Sequence, residues 1–124
     1  MLPAVFSERM RRLLGAEFDA FLASYDRPRN TALRRNPALP GPALPQFCGE
    51  RVAWEPNGFY LLPDTRPGLS PLHDAGLFYL QEPSAMAPAR LLDAQPGERV
   101  LDLCAAPGGK STQLAAAMRG QGLL

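Results

Sequence analysis

Two cysteines in 124 residues, Cys48 and Cys104, and a single histidine, His73, leave no CxxC pair and no histidine-cysteine cluster. Neither a zinc site nor a disulfide framework can be built from that set. No apolar run approaches the roughly 18 residues that a membrane-spanning helix requires, and the opening "MLPAVFSERMRRLLG" lacks the long hydrophobic stretch of a secretory leader. These absences predict a cytoplasmic chain in a reducing compartment, with neither a membrane nor a metal as partner. Net charge is scarce too. Thirteen basic residues against twelve acids leave +1 and a pI near 7.8, so bulk charge argues neither for nor against a polyanionic partner.

A hydrophobic content of 46% in a chain of this length supports one modest core and leaves no room for two complete domains. Twelve of the thirteen basic residues are arginines, and seven of them (Arg9, Arg11, Arg12, Arg27, Arg29, Arg34 and Arg35) precede residue 36, against four acids there. This N-terminal bias suits phosphate contacts, and equally an ordinary solvated helix face. Lys110 is the one lysine.

Met10, Leu13, Leu14, Phe18, Phe21, Leu22 and Tyr25 recur at helical steps, which predicts an amphipathic helix over residues 7–25, capped by Ser7 and broken near Gly15. Residues 30–36 read as a short strand ended by Pro37. Eight prolines between residues 37 and 71 restrict that stretch to loops and short edge strands, with "RVAW" and "GFYLL" as two strands around the turn "EPNG". A half-buried helical turn is expected over residues 71–79. Pro83 and Ser84 then open a helix to about Leu92. "DAQPGE" turns the chain into a strand at residues 99–103.

That strand, "VLDL", has the composition of a central parallel strand buried on both faces. "KSTQLAAAMRG" is a helix stopped by Gly120, and between them "CAAPGG" carries only small side chains. Backbone amides in such a loop can approach a ligand closely at the carboxyl end of a strand. Two chemistries fit. One is a phosphate cradle, GxxxxGK[ST], with Cys104 standing where its first glycine belongs. The other is a loop for S-adenosyl-L-methionine, with Asp102 at the strand end. A plain strand-to-helix turn would need the same small residues.

"VLDLCAAPGGKSTQLAAAM", preceded by "GLFYLQEPSAMAPARLL", resembles the RNA cytosine-C5 methyltransferases of the RsmB/RsmF and Nop/Sun type. It is most similar to the RsmF branch that modifies ribosomal RNA. "FSERMRRLLGAEFDAFLASY" and "WEPNGFYLLPDTRPGLSPLHDAGLFYLQEPSAM" resemble that branch's N-terminal domain. The resemblance implies an α+β N-terminal domain over residues 1–80, a connecting helix and turn over 81–98, and over 99–124 the first strand-loop-helix of a Rossmann-like class I methyltransferase α/β domain, truncated at Leu124. It implies S-adenosyl-L-methionine as cofactor, held by Cys104, Ala105, Ala106, Pro107, Gly108, Gly109 and Lys110, and ribosomal RNA as partner; it says nothing of oligomeric state.

One departure is local: the branch commonly carries Arg-x-Asn-Thr where this chain reads Arg34, Arg35, Asn36, Pro37, which puts the strand's hydrogen bonding there in question. In the family a cysteine thiolate adds to cytosine C6 so that C5 can take the methyl group. Both catalytic cysteines, the catalytic aspartate and the acidic contact to the cofactor ribose belong beyond Leu124. Cys104 is expected to pack as a small hydrophobe, Cys48 to be a structural thiol, and His73, beside Asp74, a surface or satisfied histidine. The Gln81, Glu82 and Ser84 cluster resembles a family motif without an assigned chemical step. A non-catalytic RNA-binding module and a phosphate-loop nucleotidase stand as the alternatives. Without the acidic ribose contact, the 124-residue chain is expected to bind S-adenosyl-L-methionine about tenfold or more below a complete site; micromolar binding in a calorimetric titration would contradict this.

Overall fold

The computed structural model describes residues 2–44 and 46–124. Two short helices, α1 (Ala4–Leu14) and α2 (Phe18–Ser24), are joined by a 3-10 turn at Gly15–Glu17. The expected break therefore falls at Gly15, whose backbone is left-handed (φ 52°). Helix α1 begins three residues before Ser7, however, with Pro3 as its cap. The Ser7 hydroxyl donates back to the Pro3 carbonyl, so it cannot cap a helix of its own.

Four strands, β1 (Ala32–Arg35), β2 (Cys48–Arg51), β3 (Gly58–Leu61) and β4 (Phe78–Leu80), form an antiparallel sheet in the order β2-β3-β1-β4. Central β1 sets Leu33 opposite Phe59 and Leu80, and Arg34 opposite Gly58 and Tyr79. Alternation then sends Ala32 and Arg34 to one face and Leu33 and Arg35 to the other. Pairing does not stop at Arg35. The Asn36 amide donates to Leu77 O at 2.8 Å, and the Asn36 side chain accepts from the Ala38 amide and donates to Gly76 O, so Pro37 leaves the strand's hydrogen bonding intact.

Two expected elements are displaced. The strand placed at "RVAW" lies over Cys48–Arg51 instead, because the Val52 and Glu55 backbones turn back through bonds from Val52 N to Gly58 O and from Glu55 N to Val52 O. The helix expected over 71–79 is only α3 (Pro71–Asp74). Gly76, left-handed at φ 75°, reverses the chain, and Tyr79 lies on β4.

Helix α4 (Pro83–Leu92) covers the Arg34 face, where Ala32, Val52 and Met86 form a buried cluster. Gly58 makes this approach possible: a Cβ there would stand 2.8 Å from Met86 Sδ and 3.1 Å from Val52 Cβ. On the opposite face Leu33, Leu44 and Phe78 are buried. Helix α5 (Gly109–Met118) packs on α4 through Ala89, Leu114 and Met118.

Residues 99–103 depart most from expectation. No strand forms; Arg99 bridges Leu123 in parallel, with Val100 N donating to Leu123 O at 2.8 Å. Val100 packs against the helices, but Leu101 and Leu103 are 79% and 85% exposed rather than buried on both faces, because a single bridge offers no sheet to cover them. "QGLL" is therefore already a pairing partner of this segment. Among the described residues no helix is long and apolar enough to cross a membrane.

Leu33→Ala, at a fully buried site on the central strand, is expected to cost about 2–5 kcal/mol, and Leu103→Ser less than about 0.5 kcal/mol. Urea unfolding of the two variants measures the contrast.

Candidate functional site

The loop after Leu103 is organised around Asp102. Its Oδ1 accepts the Cys104 amide at 3.0 Å and its Oδ2 the Ser111 hydroxyl at 2.6 Å, so both ends of the loop are tied to one carboxylate. The Ser111 hydroxyl, the Cys104 amide and the nearby Lys110 ammonium, in that order of effect, hold the Asp102 carboxyl below the ordinary aspartate range. Gly108, left-handed at φ 109°, is the cap from which α5 departs.

The loop rests on the sheet through side chains from all parts of the N-terminal half. Arg34 Nε donates to Gln81 Oε1 at 3.0 Å, and Nη2 donates to Gly109 O at 3.0 Å and Thr112 Oγ1 at 2.9 Å. The Tyr79 hydroxyl donates to Pro107 O at 3.1 Å, and Gln81 Nε2 donates to Ala85 O at 3.0 Å. One turn along α5, Gln113 Nε2 donates to Glu55 Oε2 at 2.6 Å and to Met86 O at 3.0 Å. Trp54 Nε1 donates to Pro83 O at 2.9 Å and fixes the start of α4. Arg34 is only 3% exposed; burial pulls its pKa below the ordinary guanidinium value, with the charge of Glu55 opposing that shift. It therefore cannot serve as one of the phosphate-contacting arginines, whereas Arg9, Arg11, Arg12, Arg27 and Arg29 are exposed.

Of the seven residues assigned to the loop, Cys104, Ala105, Ala106, Pro107 and Lys110 are exposed and Gly108 and Gly109 are half-buried. Cys104 thus does not pack as a small hydrophobe: its amide is drawn in by Asp102 while its side chain borders a recess of about 340 Å³ shared with Leu101, Asp102, Lys110, Pro88 and Ala89. Small exposed residues around an anchored carboxylate leave backbone within reach of a ligand and suit a cationic or zwitterionic group. They suit phosphate poorly. In the GxxxxGK[ST] arrangement the final hydroxyl serves a phosphate-bound magnesium, and here that hydroxyl, Ser111, donates to Asp102.

Cys48 is half-buried, and burial raises its thiol pKa against the opposing pull of Arg35, as suits a structural thiol. His73, with Nδ1 3.6 Å from Asp74 Oδ1 and its ring 5.5 Å from that of Phe78, stands with Phe78 on the sheet face away from Arg34. Glu82 caps α4 by accepting the Ala85 amide at 3.1 Å, and it also accepts the Ser84 hydroxyl. Tyr79, Glu55, Thr112 and Gln113 belong to this network without a signature in the sequence. No short-range signal marks them, because their contacts with Arg34, Pro107, Met86 and one another join residues 27 or more positions apart.

Comparison with known proteins matches the chain in two segments. Residues 2–83 match the N-terminal domain of 16S rRNA methyltransferase RsmF. The chain belongs to the RsmF family. Residues 89–124 match 16S rRNA methyltransferase RsmB/F. A ribosomal RNA small subunit methyltransferase F from Enterobacter is 39% identical to this RsmF-family chain over 98% of its length. The counterpart from Shewanella amazonensis is 46% identical over 60% of the chain. The chain spans 28% and 17% of these two relatives respectively. A solved methyltransferase homolog protein from Pyrococcus horikoshii superposes with a TM-score of 0.71 at 31% identity, covering 98% of this chain and 42% of that one.

Removing the strongest hydrogen bond to Asp102 should raise the carboxyl's pKa. Ser111→Ala is expected to move its titration upward toward the ordinary aspartate range. In the native chain the tether is complete above that range and is lost as pH falls through the depressed value. Side-chain carbon shifts followed by NMR against pH check both statements, and an unmoved titration would contradict them.

Proposed function

We propose that the chain is the N-terminal part of an S-adenosyl-L-methionine-dependent ribosomal RNA cytosine-C5 methyltransferase. Residues 1–80 make up its RsmF-like domain, 81–98 the connector, and 99–124 the opening of a Rossmann-like cofactor domain, a bridged extended segment followed by the loop and α5. Cys104, Ala105, Ala106, Pro107, Gly108, Gly109 and Lys110 hold the cofactor. The observation that carries this reading is the anchored Asp102. A carboxylate kept ionised at the base of a loop of small residues attracts the positive charge of the cofactor's ammonium and sulfonium groups and repels a phosphate. The cofactor supplies an activated methyl group.

The residues of this chain bind and orient. Asp102 and Ser111 keep the loop closed upon itself, the exposed small residues leave its backbone accessible, and Lys110, on the first turn of α5, faces solvent beside the same recess. The exposed arginines on and after α1 and α2 suit the backbone of ribosomal RNA through counterion release. Cys104 belongs to the cofactor loop, and the thiol that attacks cytosine is a different one.

The full-length protein, given S-adenosyl-L-methionine and small-subunit ribosomal RNA, is expected to produce 5-methylcytosine detectable by mass spectrometry of digested RNA. With 5-fluorocytosine RNA, Cys104→Ser is expected still to form the covalent adduct. Absence of any methyl transfer, or micromolar ATP binding in its place, would contradict the assignment. Loss of the adduct in Cys104→Ser with cofactor binding retained would contradict the role given to Cys104.

A further inference from the structure

We infer that Arg34 is a positioning residue for the cofactor loop, acting from the sheet through Thr112 and Gly109; this rests on the methyltransferase reading of the loop. Two loop carbonyls, of Pro107 and Gly109, are held directly by the N-terminal half, and the carbonyl between them, which α5 itself holds through the Thr112 amide at 2.9 Å, is reached from Arg34 through the Thr112 hydroxyl. Tyr79 Oη donates to Pro107 O at 3.1 Å. Arg34 Nη2 donates to Thr112 Oγ1 at 2.9 Å, and that hydroxyl in turn donates to Gly108 O at 2.8 Å. The same Nη2 donates to Gly109 O at 3.0 Å.

The orientation of those carbonyls decides where the amides point. In a trans peptide the N–H of the following residue is directed opposite to the carbonyl. Carbonyls 107 and 109, turned toward Tyr79 and Arg34, therefore turn the amides of Gly108 and Lys110 away from them, and the Gly109 amide is set through Thr112. Close packing allows no slack. A Cβ on Gly109 would stand 3.3 Å from Gln81 Nε2 and 3.4 Å from Tyr79 Cε1. Arg34 itself is held in place by Gln81 Oε1 at 3.0 Å, and the planar fork that meets Gln81, Gly109 and Thr112 together is a shape lysine lacks. Buried as it is, Arg34 touches neither RNA nor cofactor, and its influence on the reaction passes through the loop backbone.

The test uses the full-length protein with Arg34→Met, Arg34→Lys, Thr112→Val and the double variant Arg34→Met/Thr112→Val, assayed for methyl transfer below their unfolding temperatures. Arg34→Met is expected to raise the cofactor KM about tenfold or more and to leave the RNA KM within about a factor of two. Arg34→Lys should recover part of the loss. The double variant should be no worse than Arg34→Met alone, since both changes break one chain of bonds. A rise in RNA KM with unchanged cofactor KM, or full additivity, would overturn the inference. Thr112→Val, at an exposed position, carries the test alone if Arg34→Met does not fold, with a cofactor KM raised a few-fold against an unchanged RNA KM. If the unaltered protein methylates no RNA, the functional reading falls by itself. The amide resonances of Gly108 and Gly109 in Thr112→Val then decide the positioning: displacement supports it and identity with the unaltered protein overturns it.

Discussion

A guanidinium buried where the sheet meets α4 and α5 is the constraint on which the arrangement of this chain depends. Taking a charge out of water costs several kcal/mol (order of magnitude) unless its donors are satisfied. Arg34 meets that condition only because Gln81, Gly109 and Thr112, which lie 47, 75 and 78 residues farther along the chain, converge on it. None of the three suffices alone. The sheet, the segment after β4 and the loop at residues 104–110 must therefore be assembled together for Arg34 to be accommodated.

The apolar packing divides differently. One buried cluster joins β1 to α4 through Ala32 and Met86, another joins α4 to α5 through Ala89 and Leu114, and a third lies beneath the sheet around Leu33 and Phe78. Helix α4 belongs to two of these and links them. Polar contacts add what apolar contacts lack, which is direction: hydrogen bonds fix which way a carbonyl faces, whereas burial is indifferent to it. Glu55 and Gln113 repeat the device one turn along α5. Their pairing ties the turn after β2 to the same helix.

Much of this was legible in residue order. Helical spacing with a break at Gly15, the short strand before Pro37, the helix opened by Pro83 and the small-residue loop running into a helix follow from local chemistry that tertiary contacts reinforce. No strand forms over "RVAW" as a whole, because β-propensity does not distinguish a strand from the buried side of a turn, and Val52 lies in such a turn. The helical turn expected over residues 71–79 stops at Asp74 because Gly76, left-handed, reverses the chain into β4, which no spacing of apolar residues reveals. Leu101 and Leu103 carry the composition of a buried strand without a sheet to bury them. The loop itself was found from sequence, but its clamp was not. Arg34 was grouped with surface arginines because charge counts do not reveal burial, and its partners are too distant in the chain for any spacing rule to join them.

The N-terminal sheet and the loop at residues 104–110 form one hydrogen-bonded unit. Hydrogen exchange in Gln81→Leu tests it most directly, since this change removes the acceptor that holds Arg34 Nε without touching the loop's own sequence. Faster exchange is expected across the first two turns of α5, with exchange in β1 and β3 unchanged. Unaltered protection of α5 in a folded Gln81→Leu variant would contradict it.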